Sequence, residues 1–292
     1  MIRILYVHGY NGKPNGGSFQ KLAKYAEVAD FGGEKVEMHS FDYDAAEPFK
    51  AERELRKYYF ENDIDLIIGS SLGGFIAASC EWARRIVVNP CWKPSVELPK
   101  VGYTGPIDEY QYVEETMGRY AQVGDGELCI GCFAPADELL GTQYKNAFSE
   151  HFKETYDIPG GHHLSEEAAQ KIMTEIAPML IKRFKEGKGP GKIVSYGLNE
   201  HERMNYAHMF SIYNEPSVKK SHMCGCFYCG KVFPAELVRN FAYEFEDNPN
   251  TAICPYCMID SVLADADWKD LSPAFLEKMY KRFFENHIDL ND

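Results

Sequence analysis

The pentad Gly69-Ser70-Ser71-Leu72-Gly73 follows directly on an apolar run, Ile64-Asp65-Leu66-Ile67-Ile68, and leads into a segment of helical composition. Strand, G-x-S-x-G, helix is a demanding local arrangement. The turn is so tight that the serine backbone is strained and only small residues fit on either side. Glycines at 69 and 73 provide that room. Such a turn lifts the Ser71 hydroxyl above a sheet and aims the Leu72 N–H toward the place where a substrate oxyanion would form. Taken alone, the pentad also fits an ordinary Ser/Gly turn, so its meaning depends on its surroundings.

Those surroundings alternate. Short runs rich in Val and Ile, at 2–7, 36–41, 65–69, 86–88, 128–133 and 154–158, have the character of buried parallel strands. Between them, 19–29, 48–61 and 73–82 have the length and composition of helices, and Ser165 is placed to cap a helix running to about residue 185. The pattern predicts an α/β fold, a parallel sheet with helices on both faces. Then comes Lys185-Glu186-Gly187-Lys188-Gly189-Pro190-Gly191, the best linker in the chain. It divides the 292 residues into expected domains 1–187 and 188–292.

Three further parts of a serine-hydrolase site stand in order around the pentad. His8-Gly9-Tyr10-Asn11-Gly12 follows the first strand, where hydrolases of this kind place a second oxyanion N–H. Tyr10 is the expected donor, with Asn11 next, and His8 reads as a brace for the loop. Serine needs a base to take its proton, and the base needs a carboxylate to hold its tautomer. Asp137, in Ala134-Pro135-Ala136-Asp137-Glu138 just past a late strand, is the expected acid, with Glu138 as the other candidate. The base belongs in Pro159-Gly160-Gly161-His162-His163, where spacing alone does not separate the two histidines.

These motifs resemble the YqiA-like esterases, a small branch of the α/β-hydrolases. The likeness rests on His8-Gly9-Tyr10-Asn11, Ile68-Gly69-Ser70-Ser71-Leu72-Gly73-Gly74, Asn89-Pro90, Tyr103-Thr104-Gly105, Asp137-Glu138-Leu139-Leu140 and Gly160-Gly161-His162-His163, and spans residues 2–184. In the last motif the family has G-G-N-H, so the resemblance implies His163 as the catalytic base and leaves His162 where the family carries asparagine. It implies an esterase or thioesterase with a Ser71–His163–Asp137 triad and Tyr10 and Leu72 as oxyanion hole. Such an enzyme acts on a small acyl substrate and needs no cofactor for catalysis. Departures are Cys91, where alanine is common, and a longer approach from Gly131 to Asp137.

The last hundred residues differ in kind. Cys224-Gly225-Cys226-Phe227-Tyr228-Cys229 and Cys254-Pro255-Tyr256-Cys257 contain two C-x-x-C pairs with 24 residues between them, a strong zinc pattern. Cys226, Cys229, Cys254 and Cys257 are the expected ligands, with Cys224 as a spare thiol. Four thiolates close a tetrahedral site, so the zinc is expected to be structural, in a small α+β domain of zinc-ribbon type. This segment is similar to a small bacterial cytoplasmic family through C-G-C-F-x-C and T-A-x-C-P-Y-C-x-I-D-S-V, a likeness that brings no activity with it. By contrast, the C-x-x-C at Cys129 and Cys132 falls in a strand, where residues three apart point to opposite faces, and reads as core.

Charge and hydropathy narrow the remaining classes. The net charge is −13. Residues 190–292 carry 10 Lys+Arg against 15 Asp+Glu, a net of −5, so a nucleic-acid partner is not expected even for the cysteine domain. A protein partner is the more natural use of that domain. No run approaches the roughly 18 apolar residues of a membrane span, and the first residues lack the pattern of a signal peptide. A cytoplasmic location is expected, with cysteines reduced. The competing reading is a non-catalytic hydrolase-fold scaffold whose zinc module contacts a partner.

Overall fold

The computed structural model describes residues 1–81, 83–118, 121, 125–185, 200–242 and 250–285. Its contacts gather into two compact units, Met1–Gly191 and Lys192–Asp292. The expected boundary at 187/188, and all of the linker except Lys185, lie outside the described residues. Among the described residues no helix is long and apolar enough to cross a membrane.

The first unit is built on six parallel strands: β1 (Ile2–Val7), β2 (Val36–Phe41), β3 (Leu66–Ser70), β4 (Arg85–Val88), β5 (Cys129–Phe133) and β6 (Thr155–Asp157). Their order in the sheet is β2-β1-β3-β4-β5-β6. The chain therefore steps outward from β1 to β2, returns across β1 to β3, and continues in one direction to β6. At such a reversal, the loops leaving two adjacent strands diverge and open a crevice at their C-terminal ends. Here the adjacent strands are β1 and β3, and the loops are His8–Gly12 and the Ser71 turn. The central strands are apolar on both sides: Ile4, Leu5, Ile67, Ile68, Ile86, Val87 and Ile130 are all fully buried. Helices on both faces of the sheet require that composition. Cys129 and Cys132 are fully buried on β5 and belong to the core.

Helices α1 (Gly17–Ala26), α2 (Pro48–Glu61) and α3 (Leu72–Ser79) follow β1, β2 and β3; α2 has the expected bounds, while α1 and α3 are shifted by a few residues. All eight residues of α3 are buried. Three helices were not legible in the sequence: α4 (Pro94–Lys100), α5 (Asp108–Thr116) and α6 (Gln143–His151). They are short, and each buries only two or three residues, so a 3.6-residue apolar period barely registers. The closing helix runs as α7 (Glu166–Lys171), a widened π turn at Ile172–Ile176, and α8 (Ala177–Lys185). Ser165 caps it, its hydroxyl accepting the Ala168 N–H at 3.0 Å. The widened turn ends two residues before Pro178, which has no N–H and whose ring crowds the carbonyl four residues back.

In the second unit, α9 (Glu200–Met209) and α10 (Glu215–Val218) precede a three-stranded antiparallel sheet. Its strands are β7 (Met223–Cys226), β8 (Val232–Pro234) and, on the other side of β7, β11 (Val262–Ala264). Among the described residues, a two-residue pair, β9 (Phe241–Ala242) with β10 (Thr251–Ala252), completes the β structure. Helix α11 (Pro273–Tyr280) is capped by Ser272.

Candidate active site and cysteine cluster

Ser71 sits between β3 and α3 with φ 54° and ψ −120°, a strained conformation for a residue with a side chain. Its backbone is pinned on both sides. The N–H donates to the Val88 carbonyl at 2.9 Å, and the carbonyl accepts from Cys91 at 3.0 Å and from Gly74 at 3.0 Å. A side chain at Gly69 would overlap the Gly73 carbonyl, and one at Gly73 would overlap the carbonyls of Val7 and His8. The elbow thus closes only because both flanking positions are glycine. Leu72 is the first residue of α3, so its N–H has no acceptor within the helix and is free for a ligand. Gly9 lies against the turn, with room for only a tight Cβ contact, 3.1 Å, to the Cβ of Ser71.

Asp137 lies in the turn after β5. One carboxylate oxygen accepts the N–H groups of Leu139 and Leu140 at 2.9 and 2.8 Å. The other faces Nδ1 of His162 at 2.9 Å, and Nε2 of the same ring faces the Ser71 hydroxyl at 3.1 Å. A carboxylate accepts, so Nδ1 carries the proton and the Nε2 lone pair is directed at Ser71. Burial works to raise the Asp137 pKa, but the bonds from His162, Leu140 and Leu139 outweigh it and hold the carboxyl below its ordinary value. Glu138, the other acid candidate, accepts the backbone N–H of His162 at 2.9 Å rather than meeting its ring.

The expectation of His163 is therefore corrected. His162 is buried and bridges Ser71 and Asp137; His163 is exposed, its ring 5.7 Å from that of His162. The reason is local. The peptide groups on both sides of His162 are held, the N–H by Glu138 and the carbonyl by the Asn89 side chain at 3.1 Å, and this turns His162 inward and its neighbour outward. Asn89 is also a residue that sequence reasoning passed over, although the Asn89-Pro90 pair marked its place.

His8 is fully engaged: Nδ1 faces the Gly9 carbonyl at 2.8 Å, Nε2 faces Asp42 at 3.0 Å, and the ring stacks on Tyr43 at 4.9 Å. The Tyr43 hydroxyl donates to the His8 carbonyl at 2.9 Å. A cavity of about 480 Å³ opens at Ser71, with Tyr10, Leu72, Cys91, Leu98, Leu140 and His162 in its wall. Burial pushes the Cys91 thiol up to about 12, so it is protonated at neutral pH.

In the second unit, Cys226, Cys229, Cys254 and Cys257 converge, all four sulfurs within 4.8 Å of one another. Cys226 and Cys257 are 3.6 Å apart and Cys229 and Cys254 are 3.8 Å apart. A tetrahedron of thiolates at a Zn–S distance of about 2.3 Å has edges of about 3.8 Å. The cluster can hold a metal ion of that kind. Cys224 is buried among Phe233, Val262 and Ala264, outside the cluster.

Sheet order, elbow and crevice define the first unit as a domain of α/β-hydrolase fold. The chain belongs to the uncharacterised protein family UPF0227, whose model matches residues 3–173. No curated protein matches it. Among solved structures it is similar to a protein of Xanthomonas campestris pv. campestris placed in the alpha/beta hydrolase superfamily. That pair shares 21% identity over 61% of this chain and 99% of the other, with a TM-score of 0.40. The esterase domain of a Rhodothermus marinus protein is 13% identical over 62% of this chain and 87% of its own, with a TM-score of 0.44. Alpha/beta hydrolase domain-containing protein 10 from mouse is 15% identical over 62% and 90%, with a TM-score of 0.42.

Proposed function

We propose that the first unit is a serine hydrolase that cleaves acyl esters or thioesters through Ser71, His162 and Asp137. The observation that carries this reading is the unbroken hydrogen-bond chain from the Ser71 hydroxyl through the His162 ring to Asp137, at 3.1 and 2.9 Å, on a strained turn facing a cavity. His162 Nε2 takes the Ser71 proton as the oxygen attacks the acyl carbonyl, and Asp137 stabilises the imidazolium that forms. The N–H of Leu72, with that of Tyr10, receives the oxyanion. The leaving alcohol or thiol collects its proton from His162. A water molecule, deprotonated by the same ring, then releases the acid from the acyl-enzyme. No cofactor enters these steps.

The four clustered cysteines support a structural zinc in residues 188–292, where the ion would replace part of the core that so small a unit lacks. The reading keeps a cytoplasmic enzyme with a small acyl substrate, and a protein partner for the cysteine unit. Ser71→Ala should lower hydrolysis of a short-chain nitrophenyl ester by about 10³-fold or more. Unchanged turnover in that variant would refute the assignment.

A further inference from the structure

Asn89 stands at the end of β4, between the strand that carries the nucleophile and the strand that carries the acid. It is 3% exposed, and its backbone is in the left-handed region at φ 41°. Its N–H donates to the Cys132 carbonyl at 2.9 Å. Its side-chain oxygen accepts the N–H of Ala134, at the root of the Asp137 turn, at 2.8 Å. Its side-chain nitrogen donates to two successive carbonyls of the histidine loop, Gly161 and His162, both at 3.1 Å.

These partners fix the amide orientation without ambiguity, because an N–H requires the oxygen and two carbonyls require the nitrogen. They also fix the residue type. Aspartate would set an acceptor oxygen against two carbonyl oxygens, and leucine would leave three backbone groups, two of them buried, without this partner. The Ala134 bond lies on one loop and the other two on a second loop, 27 residues further along. One side chain therefore sets the separation between the acid and the base.

We propose that Asn89 is a positioning residue of the hydrolase: it registers the Asp137 turn against the His162 loop, so that the imidazole meets the carboxylate and the serine together. The inference rests on the reading of Ser71, His162 and Asp137 as a catalytic set. Misplacing a catalytic group by about 1 Å can cost roughly 10²-fold in rate while binding is little affected. A purely structural asparagine would instead lower stability and leave the turnover of the folded fraction alone.

The test uses the full chain with two substitutions. Asn89→Asp keeps the size and the Ala134 bond but removes both donors. Asn89→Gly removes the side chain and keeps the left-handed backbone. Folding is followed by near-UV circular dichroism, kcat and KM with a short-chain nitrophenyl ester, and the His162 Nδ1–H by its downfield proton resonance. Both variants should fold, lose about 10–100-fold in kcat with KM within about 3-fold, and lose or shift that resonance. A folded variant with wild-type kcat and an unmoved resonance overturns the inference. So does failure of both variants to fold, which would make Asn89 a general fold residue. If the wild type itself shows no Ser71-dependent turnover, the hydrolase reading fails, while the resonance still reports whether Asn89 orients His162.

Discussion

His162 and His163 are adjacent in the chain and opposite in environment, and that contrast shows what a residue-level pattern contains. Ser71 and Asp137, which one imidazole ring joins, stand out in the sequence because each follows a strand whose apolar run is unmistakable. The ring between them does not, because two neighbouring histidines in a glycine-rich loop differ only in backbone direction. That direction is set by Asn89 and Glu138, residues 73 and 24 positions away. The Asp137 carboxyl adds a pH-dependent contribution. Its folded-state pKa lies below the ordinary value, so the stability it adds is complete above the unfolded value and is lost as pH falls through the depressed folded value. Urea titrations of the wild type and Asp137→Asn should show a stability gap at neutral pH that narrows on acidification; a gap independent of pH would contradict this. The Cys91 thiol, raised to about 12, should resist iodoacetamide at pH 8 in the folded protein and react after denaturation, as peptide mass mapping would show.

At the scale of elements, the elbow is held by what is missing at Gly69 and Gly73. An added methyl at Gly73 meets the carbonyls that end β1, which are backbone and do not swing aside. Gly73→Ala should therefore cost about 1–3 kcal/mol or more, measured as a lower urea midpoint. Ser165→Ala removes only a cap bond and should cost about 1 kcal/mol. Equal effects in the two variants would mean that the elbow is less tightly packed than its contacts indicate. The four inner strands β1, β3, β4 and β5 were legible because a strand buried on both faces must be a continuous apolar run. Helices α4, α5 and α6 were not, because short helices with two or three buried residues do not need a periodic sequence.

For the whole molecule, the two units present separate chemistries. The first depends on strand order, since the reversal between β1 and β3 places the His8–Gly12 loop beside the Ser71 turn. The second brings together the sulfurs of four cysteines that their sequence spacing singles out and that could hold a metal ion. Purified protein should contain about one zinc per chain, and Cys229→Ser should lose it, while Ser71-dependent ester hydrolysis survives that loss. Zinc well below one equivalent in the wild type would exclude the site. The most direct measurement of the central claim is the rate at which a fluorophosphonate probe labels Ser71, located by peptide mass mapping, in the wild type, His162→Ala and His163→Ala. The wild type and His163→Ala should label at Ser71 at similar rates, and His162→Ala should be slower by about 10²-fold or more. Wild-type labelling in His162→Ala, or no labelling at Ser71 in the wild type, would contradict it.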